Sequence, residues 1–343
     1  MKSDFASLLE QWYAAYGRDL PWRHTRDPYL IMLSELILQQ TQVSQGMDYY
    51  LRFARRFPTV SDLACASEEE VMRMWQGLGY YSRARHLHAA ARQIAGKESF
   101  PRTYAEVRAL PGIGDYTAAA IMSFAFDEPY AVLDGNVQRV LARHFAIDEP
   151  IDTTQGHKLL RALADTMLDT RQPALYNQAI MDFGALVCRP SAPQCDGCPL
   201  AATCLALQEH RVLQLPVKSR RTAVRDRYLT YIYTCTKDGM TYVRRRSAND
   251  IWRGLYEFPL LESQAPLSPA EVASRLPQGT LTLVASDVRH QLTHQRLHAD
   301  FYTLLLPEAV AIGEDDGRWI PKTDLGQYAI PRLLEKLLSF IRD

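Results

Sequence analysis

Three groups of residues in this 343-residue chain have the types and spacing for chemistry: a glutamate in an apolar run, an aspartate before a glycine, and a knot of cysteines. Glu35 stands in LPWRHTRDPYLIMLSELILQQTQV, flanked by Leu33, Leu36 and Ile37, with Gln39 and Gln42 on its own helical face at i+4 and i+7. Burial there would raise its pKa, as a general acid requires; the competing reading is a surface salt bridge. Asp134 precedes Gly135 and Asn136 in AVLDGNVQRVLAR, which by itself describes a helix N-cap.

Four of the six cysteines fall in CRPSAPQCDGCPLAATC: Cys188, Cys195, Cys198 and Cys204. Such short loops cost little closure entropy and let four thiolates reach one centre. Only Cys195 and Cys198 form the close pair typical of zinc knuckles, so the spacing favours an iron-sulfur cluster and leaves zinc open. Prolines 190, 193 and 199 and Gly197 stiffen the loop, which suits a static site. Cys65 and Cys235 lie far off and read as small buried apolar residues.

The elements that must position these groups are legible in outline. From residue 4 to about 210 the apolar spacing is helical, as in Val137, Val140 and Leu141, and predicts an all-helical domain. Inside it LPGIGDYTAAAIMSFAF makes a two-glycine turn before a small-residue helix. Gly112 and Gly114 can take positive φ, and the amides of the next helix offer a phosphate-sized anion site, although a helix-to-helix turn needs glycine anyway. From about 228 the pattern alternates (YLTYIYTCT, MTYVRRR, TLTLVAS, HADFYTLLL) and predicts an α+β domain. The expected division is 1–211, a basic linker over 212–227, and 228–343.

The chain carries 39 basic and 39 acidic residues, which leaves no global attraction to polyanions, so any nucleic-acid contact must rest on local placement. The segment VLQLPVKSRRTAVRDR, with five basic residues against one acid, reads as a basic linker. An apolar share of 47% without about eighteen uninterrupted apolar residues excludes a membrane helix. No signal peptide is visible at the start, MKSDFASLLEQWYAAY, so the cytoplasm is the expected compartment, and clustered thiols in a reducing compartment are expected as metal or cluster ligands rather than as disulfides.

Together, the glycine hairpin, the aspartate about twenty residues on and the four-cysteine loop resemble the helix-hairpin-helix DNA glycosylases. LSELILQQTQV, QGLGYYSRARHLH, LDGNVQRV and YNQAIMDFGALVC are similar to the MutY-type adenine DNA glycosylases within that superfamily. The likeness runs from about Leu20 to Cys204 and more faintly beyond.

It implies a monomer acting on double-stranded DNA with a mispaired adenine, flipped out of the helix. It implies Glu35 as proton donor, Asp134 as stabiliser of positive charge on the sugar, Asn136 as a water-orienting group, and a [4Fe-4S] cluster on Cys188, Cys195, Cys198 and Cys204. Tyr116 stands where strand-cleaving relatives carry lysine, so hydrolysis without a Schiff base is expected. Gln178 matches the residue reading the adenine edge, and Arg18, Trp22 and Arg23 the pocket wall. Gln40, Thr41 and Leu78 match contacts around the opposite base, and Tyr80 the ring wedged beside it. For Trp22 and Tyr80 the alternative is core packing.

GLYEFPLLE resembles the entry to a Nudix fold, but the acidic run that binds magnesium there is missing, which points to a reader rather than a hydrolase. RHQLTHQRLH resembles the hairpin that senses the opposite base, with Thr293 and His294 at the matching positions and Leu292 and Thr293 where Phe and Ser are frequent. Two rivals stay open: a pyrimidine-directed glycosylase and lyase of the same fold, and a non-enzymatic cluster protein that binds nucleic acid.

Overall fold

In the computed structural model, residues 2–219, 224–247, 250–312 and 317–341 are described. Residues 220–223 of the basic segment therefore lie outside the described residues. Helical periodicity is realised as α1 (Lys2–Tyr16), α2 (Pro28–Leu38), α3 (Val43–Arg56), α4 (Val60–Cys65), α5 (Glu68–Trp75) and α6 (Ser82–Ala95). These are followed by α7 (Tyr104–Arg108), α8 (Asp115–Phe126), α9 (Gly135–His144), α10 (Thr154–Met167), α11 (Pro173–Leu186) and α12 (Leu205–Gln208). Local chemistry starts several of them. Asp27 accepts from Tyr29 N ahead of Pro28 to open α2, and Thr103 with Glu106 makes a capping box for α7.

The chain divides into two units, Met1–Cys65 with His86–Arg221, and Ala66–Arg85 with Thr222–Asp343. Residues 66–85, expected within one continuous helical domain ending at 211, thus group with the C-terminal residues. Periodicity reports which face of a helix is apolar and not which partner covers it.

In the first unit α2 packs on α3 and α8, and α11 packs on α1, α8 and α9. The core shared by α1, α8, α9, α10 and α11 includes Leu9, Ala120, Val137, Leu141, Leu160, Ile180 and Phe183, all buried. The small residues of α8, Ala118 to Ala120, let α2 and α11 approach it closely.

The second unit holds a mixed sheet of β1 (Arg225–Thr236), β2 (Met240–Arg245), β3 (Tyr256–Glu257), β4 (Leu260–Ser263), β5 (Thr280–Gln291), β6 (Gln295–Leu306) and β7 (Arg318–Pro321). Its order is β3-β2-β1-β6-β5, with β4 beside β1 and β7 beside β2. β1 runs parallel to β6 with Tyr228 opposite His298, and the other pairings are antiparallel. Alternation divides the sheet's side chains. Leu229, Tyr231, Phe258 and Phe301 pack with Leu333, Leu334 and Leu337 of α14 (Arg332–Ser339). Ile232, Tyr242, Tyr302 and Leu304 pack with Val272 of α13 (Pro269–Ala273). Strand β1 begins inside the segment expected to be linker.

No helix among the described residues is long and apolar enough to cross a membrane. Cys65 corrects an expectation: it ends α4 exposed rather than buried, while Cys235 packs half-buried against the sheet core.

Candidate active site

A cavity of about 500 Å³ opens in the first unit and gathers Glu35, Tyr116, Asp134, Asn136 and Gln178, with Arg18, Trp22, Arg23 and Thr41 on its walls. Four helices converge to build it: α2 brings Glu35, α8 Tyr116, the start of α9 Asp134 and Asn136, and α11 Gln178.

Glu35 is buried within the apolar face of α2. Loss of water pushes its carboxyl from 4.5 up to about 7, opposed by a hydrogen bond from Tyr116, and the nearby Asp134 charge pushes the same way. Its group is therefore half protonated near neutrality. The Tyr116 hydroxyl, 3.4 Å from Met181 Sδ, is held well above the ordinary phenol range by burial and the two carboxylates, so it stays neutral and donates.

Asp134 is the N-cap of α9, as its neighbours predict. Its Oδ1 accepts from Val137 N at 2.8 Å and its Oδ2 from Asn136 Nδ2 at 2.7 Å. Burial pushes its carboxyl up, and those donors pull it back. The cap and the site residue are thus one side chain: capping fixes the carboxylate at the cavity edge. Asn136 Oδ1 in turn accepts from Arg139, which also donates to Gly184 O and Cys188 O and so links the α9 entry to the cysteine loop.

The predicted wall residues are in place, although the arginines are held by a residue the sequence reading missed. Asp182, fully buried on α11, accepts from Arg18 N at 2.9 Å and Nε at 2.8 Å, and from Arg23 Nη1 and Nη2 at 2.6 Å each. Tyr13, also missed, donates to Gln178 Oε1 at 2.8 Å, which leaves the amide NH2 to donate elsewhere. A lone acid in YNQAIMDFGALV was a usable signal for Asp182, but spacing does not name partners more than 150 residues away. Trp22 is buried edge-on against Tyr50, with ring centroids 5.0 Å apart, so it packs in the core while lining the cavity.

At the hairpin the two glycines part company. Gly112 takes φ +76 and a Cβ there would stand 2.6 Å from His86 Cβ. Gly114, the N-cap of α8, has φ −90 with open space around it, so the expected positive φ applies to the first glycine alone.

Gln40 is exposed at φ 54 and Thr41 reaches the cavity. In the second unit Leu78 is buried, and the half-exposed Tyr80, at φ 48, meets Thr293 with the two hydroxyls 2.7 Å apart. His294 is exposed in the same turn, between β5 and β6. A wider hollow of about 1120 Å³, lined by Arg244, Arg245, Arg246, Arg253 and Arg318, includes none of the predicted residues.

Cys188, Cys195, Cys198 and Cys204 line one small, largely apolar hollow with Arg143. Arg143 donates to Cys188 Sγ at 3.4 Å and to the carbonyls of Arg189, Pro190 and Leu215. Burial raises the Cys195, Cys198 and Cys204 thiols, Cys198 to about 11, and negative neighbours add to it. The four cysteines thus line one hollow, the donor chemistry that a four-thiolate group requires. No set of three or more His, Cys, Asp or Glu side chains among the described residues is itself arranged to hold a metal ion.

Two family models match the chain: the HhH-GPD superfamily of base excision DNA repair proteins over residues 33–164, and the NUDIX domain over 230–340. The adenine DNA glycosylase of Buchnera aphidicola subsp. Baizongia pistaciae is 32% identical over 87% of this chain and 84% of its own length. The adenine DNA glycosylase of Mus musculus is 32% identical over 99% of this chain and 78% of its own. Among solved structures, a thermostable thymine-DNA glycosylase aligns with a TM-score of 0.56 at 30% identity, over 61% of this chain and 97% of that one. Likeness to adenine DNA glycosylases extends across both units, and the chain belongs to the adenine DNA glycosylase family.

Proposed function

We propose that the protein removes adenine mispaired with 8-oxoguanine or guanine in double-stranded DNA by hydrolysing its N-glycosidic bond, acting as a monomer and leaving the strand intact. The observation that carries this reading is the pair of unlike carboxyls on one cavity of about 500 Å³, Glu35 desolvated by burial and Asp134 among N–H donors.

A flipped adenine enters the cavity against Gln178 and Trp22. Glu35 gives its proton to the adenine ring at N7, so the base departs neutral instead of as an anion. As the C1′–N9 bond breaks, positive charge grows on the sugar, and the fixed Asp134 carboxylate stabilises it. The emptied Glu35 carboxylate then takes a proton from the attacking water, which Asn136 helps orient, and returns to its starting state. Tyr116 offers a hydroxyl where an amine would be needed for a Schiff base, so no strand-cleaving step follows. Gly112 and Gly114 hold a DNA phosphate at the start of α8. Gln40, Thr41, Leu78, Tyr80, Thr293 and His294 attend the opposite base, and the hydroxyl contact between Tyr80 and Thr293 supports treating those two as one reader.

Family membership also implies a [4Fe-4S] cluster, and Cys188, Cys195, Cys198 and Cys204 would hold it. When bound, it supplies the positive charge that keeps four thiolates together and cross-links the loop.

The test is single-turnover adenine release from duplexes with adenine opposite 8-oxoguanine, guanine, cytosine or thymine. Release should be fastest opposite the first two, with abasic strands intact until alkali is added. Borohydride trapping of a major covalent product would refute the hydrolytic route.

A further inference from the structure

Two arginines of the cavity wall, Arg18 and Arg23, are held by a buried carboxylate that the mechanism does not use. Asp182 has no solvent exposure, and its oxygens are occupied by the Arg18 backbone N–H and guanidinium and by both Nη atoms of Arg23. Arg23 is buried as well, its side chain 9% exposed, and it donates further to Arg18 O and lies over the Tyr13 ring. The carboxylates whose charge acts on Arg23 are Asp182 and Glu35. A buried guanidinium deprived of one carboxylate turns to the other, because an unpaired buried cation is costly.

We propose that Asp182 is a positioning residue for adenine release: it fixes the Arg23 guanidinium along the cavity wall and so withholds it from the Glu35 carboxyl. This rests on the reading of Glu35 as proton donor. A guanidinium paired with Glu35 would stabilise its anion and remove the proton the leaving base needs. The groups facing Glu35 are Tyr116 from α8 and Asp134 from α9, and Arg23 from the turn at Pro21–Arg23. Of these, only Arg23 is a cation, and Asp182 is the carboxylate its guanidinium is hydrogen-bonded to. The sequence placed Arg23 in the wall, whereas the structure gives the wall arginines a counterion that decides which acid they serve.

The experiment is a pH profile of single-turnover adenine release for the parent, Asp182→Asn, Arg23→Gln, the double variant and Glu35→Gln. Activity requires protonated Glu35, so the parental rate falls as pH rises through its pKa. Freed Arg23 lowers that pKa, so in Asp182→Asn the limb should move at least one pH unit towards acid. The rate at pH 8 should then drop about tenfold or more, with far less loss at pH 5.5. Arg23→Gln in the Asp182→Asn background should return the limb towards its parental position. A uniform loss at every pH that the double variant deepens would show that Asp182 merely supports the fold, and overturns the proposal. Should Asp182→Asn not fold, Asp182→Ser is read by the same criterion: its limb should move towards acid, and an unmoved limb overturns the proposal. Glu35→Gln separates the two levels. If it keeps the limb, Glu35 is not the titrating acid and both readings fall; if it loses the limb while Asp182→Asn keeps it, only the role of Asp182 falls.

Discussion

At the scale of single residues, the two carboxyls differ in what surrounds them, and variants should separate their duties. Glu35→Gln and Asp134→Asn keep size and hydrogen-bonding capacity while removing ionisation. Each should cut single-turnover release by at least about a hundredfold while DNA binding survives. Stability should respond differently. A carboxyl at about 7 in the folded chain and 4.5 in the unfolded one stabilises the fold fully below pH 4.5 and loses that contribution as pH rises through 7. Above pH 8 Glu35 therefore opposes folding by up to about 3 kcal/mol, and Glu35→Gln should melt higher than the parent there but not at pH 5. Asp134→Asn keeps an N-cap and should change stability by less than about 1 kcal/mol. Equal melting of parent and Glu35→Gln at pH 8.5 would mean that Glu35 is not desolvated. Both carboxyls were visible in the sequence because each broke a pattern: an acid inside an apolar helix and an acid ahead of a glycine. Asp182 and Tyr13 were not, because their meaning lies in contacts with Arg18, Arg23 and Gln178 across the fold.

At the scale of elements, the turn into α8 shows what spacing conveys and what it omits. The motif LPGIG announced a tight turn before a helix, but it made the two glycines look equivalent. The structure assigns the conformational need to Gly112, at φ +76 against His86, and leaves Gly114 in ordinary extended backbone with free space around it. Gly112→Ala should cost about 1–3 kcal/mol of stability. Gly114→Ala should cost less than about 1 kcal/mol yet weaken duplex binding, because a methyl group would occupy the space a phosphate approaches. Melting curves and a binding titration on one duplex separate the two, and an equal stability loss at both would contradict the assignment. The strands were legible for a similar reason: alternation marks the faces of β1 and β6, packed on both sides. It could not show that β1 starts as early as Arg225, since basic residues at a strand's exposed entry look like linker.

At the scale of the whole molecule, sequence patterning distinguished a helical from an α+β architecture, and the helical family model spans residues 66–85, yet in the fold those residues group with the C-terminal unit, because helical periodicity is blind to tertiary partners. Cysteine clustering is the stronger long-range signal, as it names residues that must meet whatever the chain does between them. The loop they form is tied into the first unit by two buried arginines of α9. Arg139 joins Cys188 O to Asn136 and Gly184, and Arg143 joins Cys188 Sγ to the carbonyls of Arg189, Pro190 and Leu215. A lost ligand should therefore loosen the path from the loop to the α9 entry, where Asp134 is held. Cys198→Ser should lower bound iron, visible absorbance and soluble yield together, and its remaining folded fraction should release adenine more slowly. Cys65→Ser, at an exposed helix end with no part in the loop, should match the parent in all four. Equal iron content in the two purified variants would count against the cluster, and normal release from an iron-poor Cys198→Ser protein would show that α9 holds Asp134 without help from the loop.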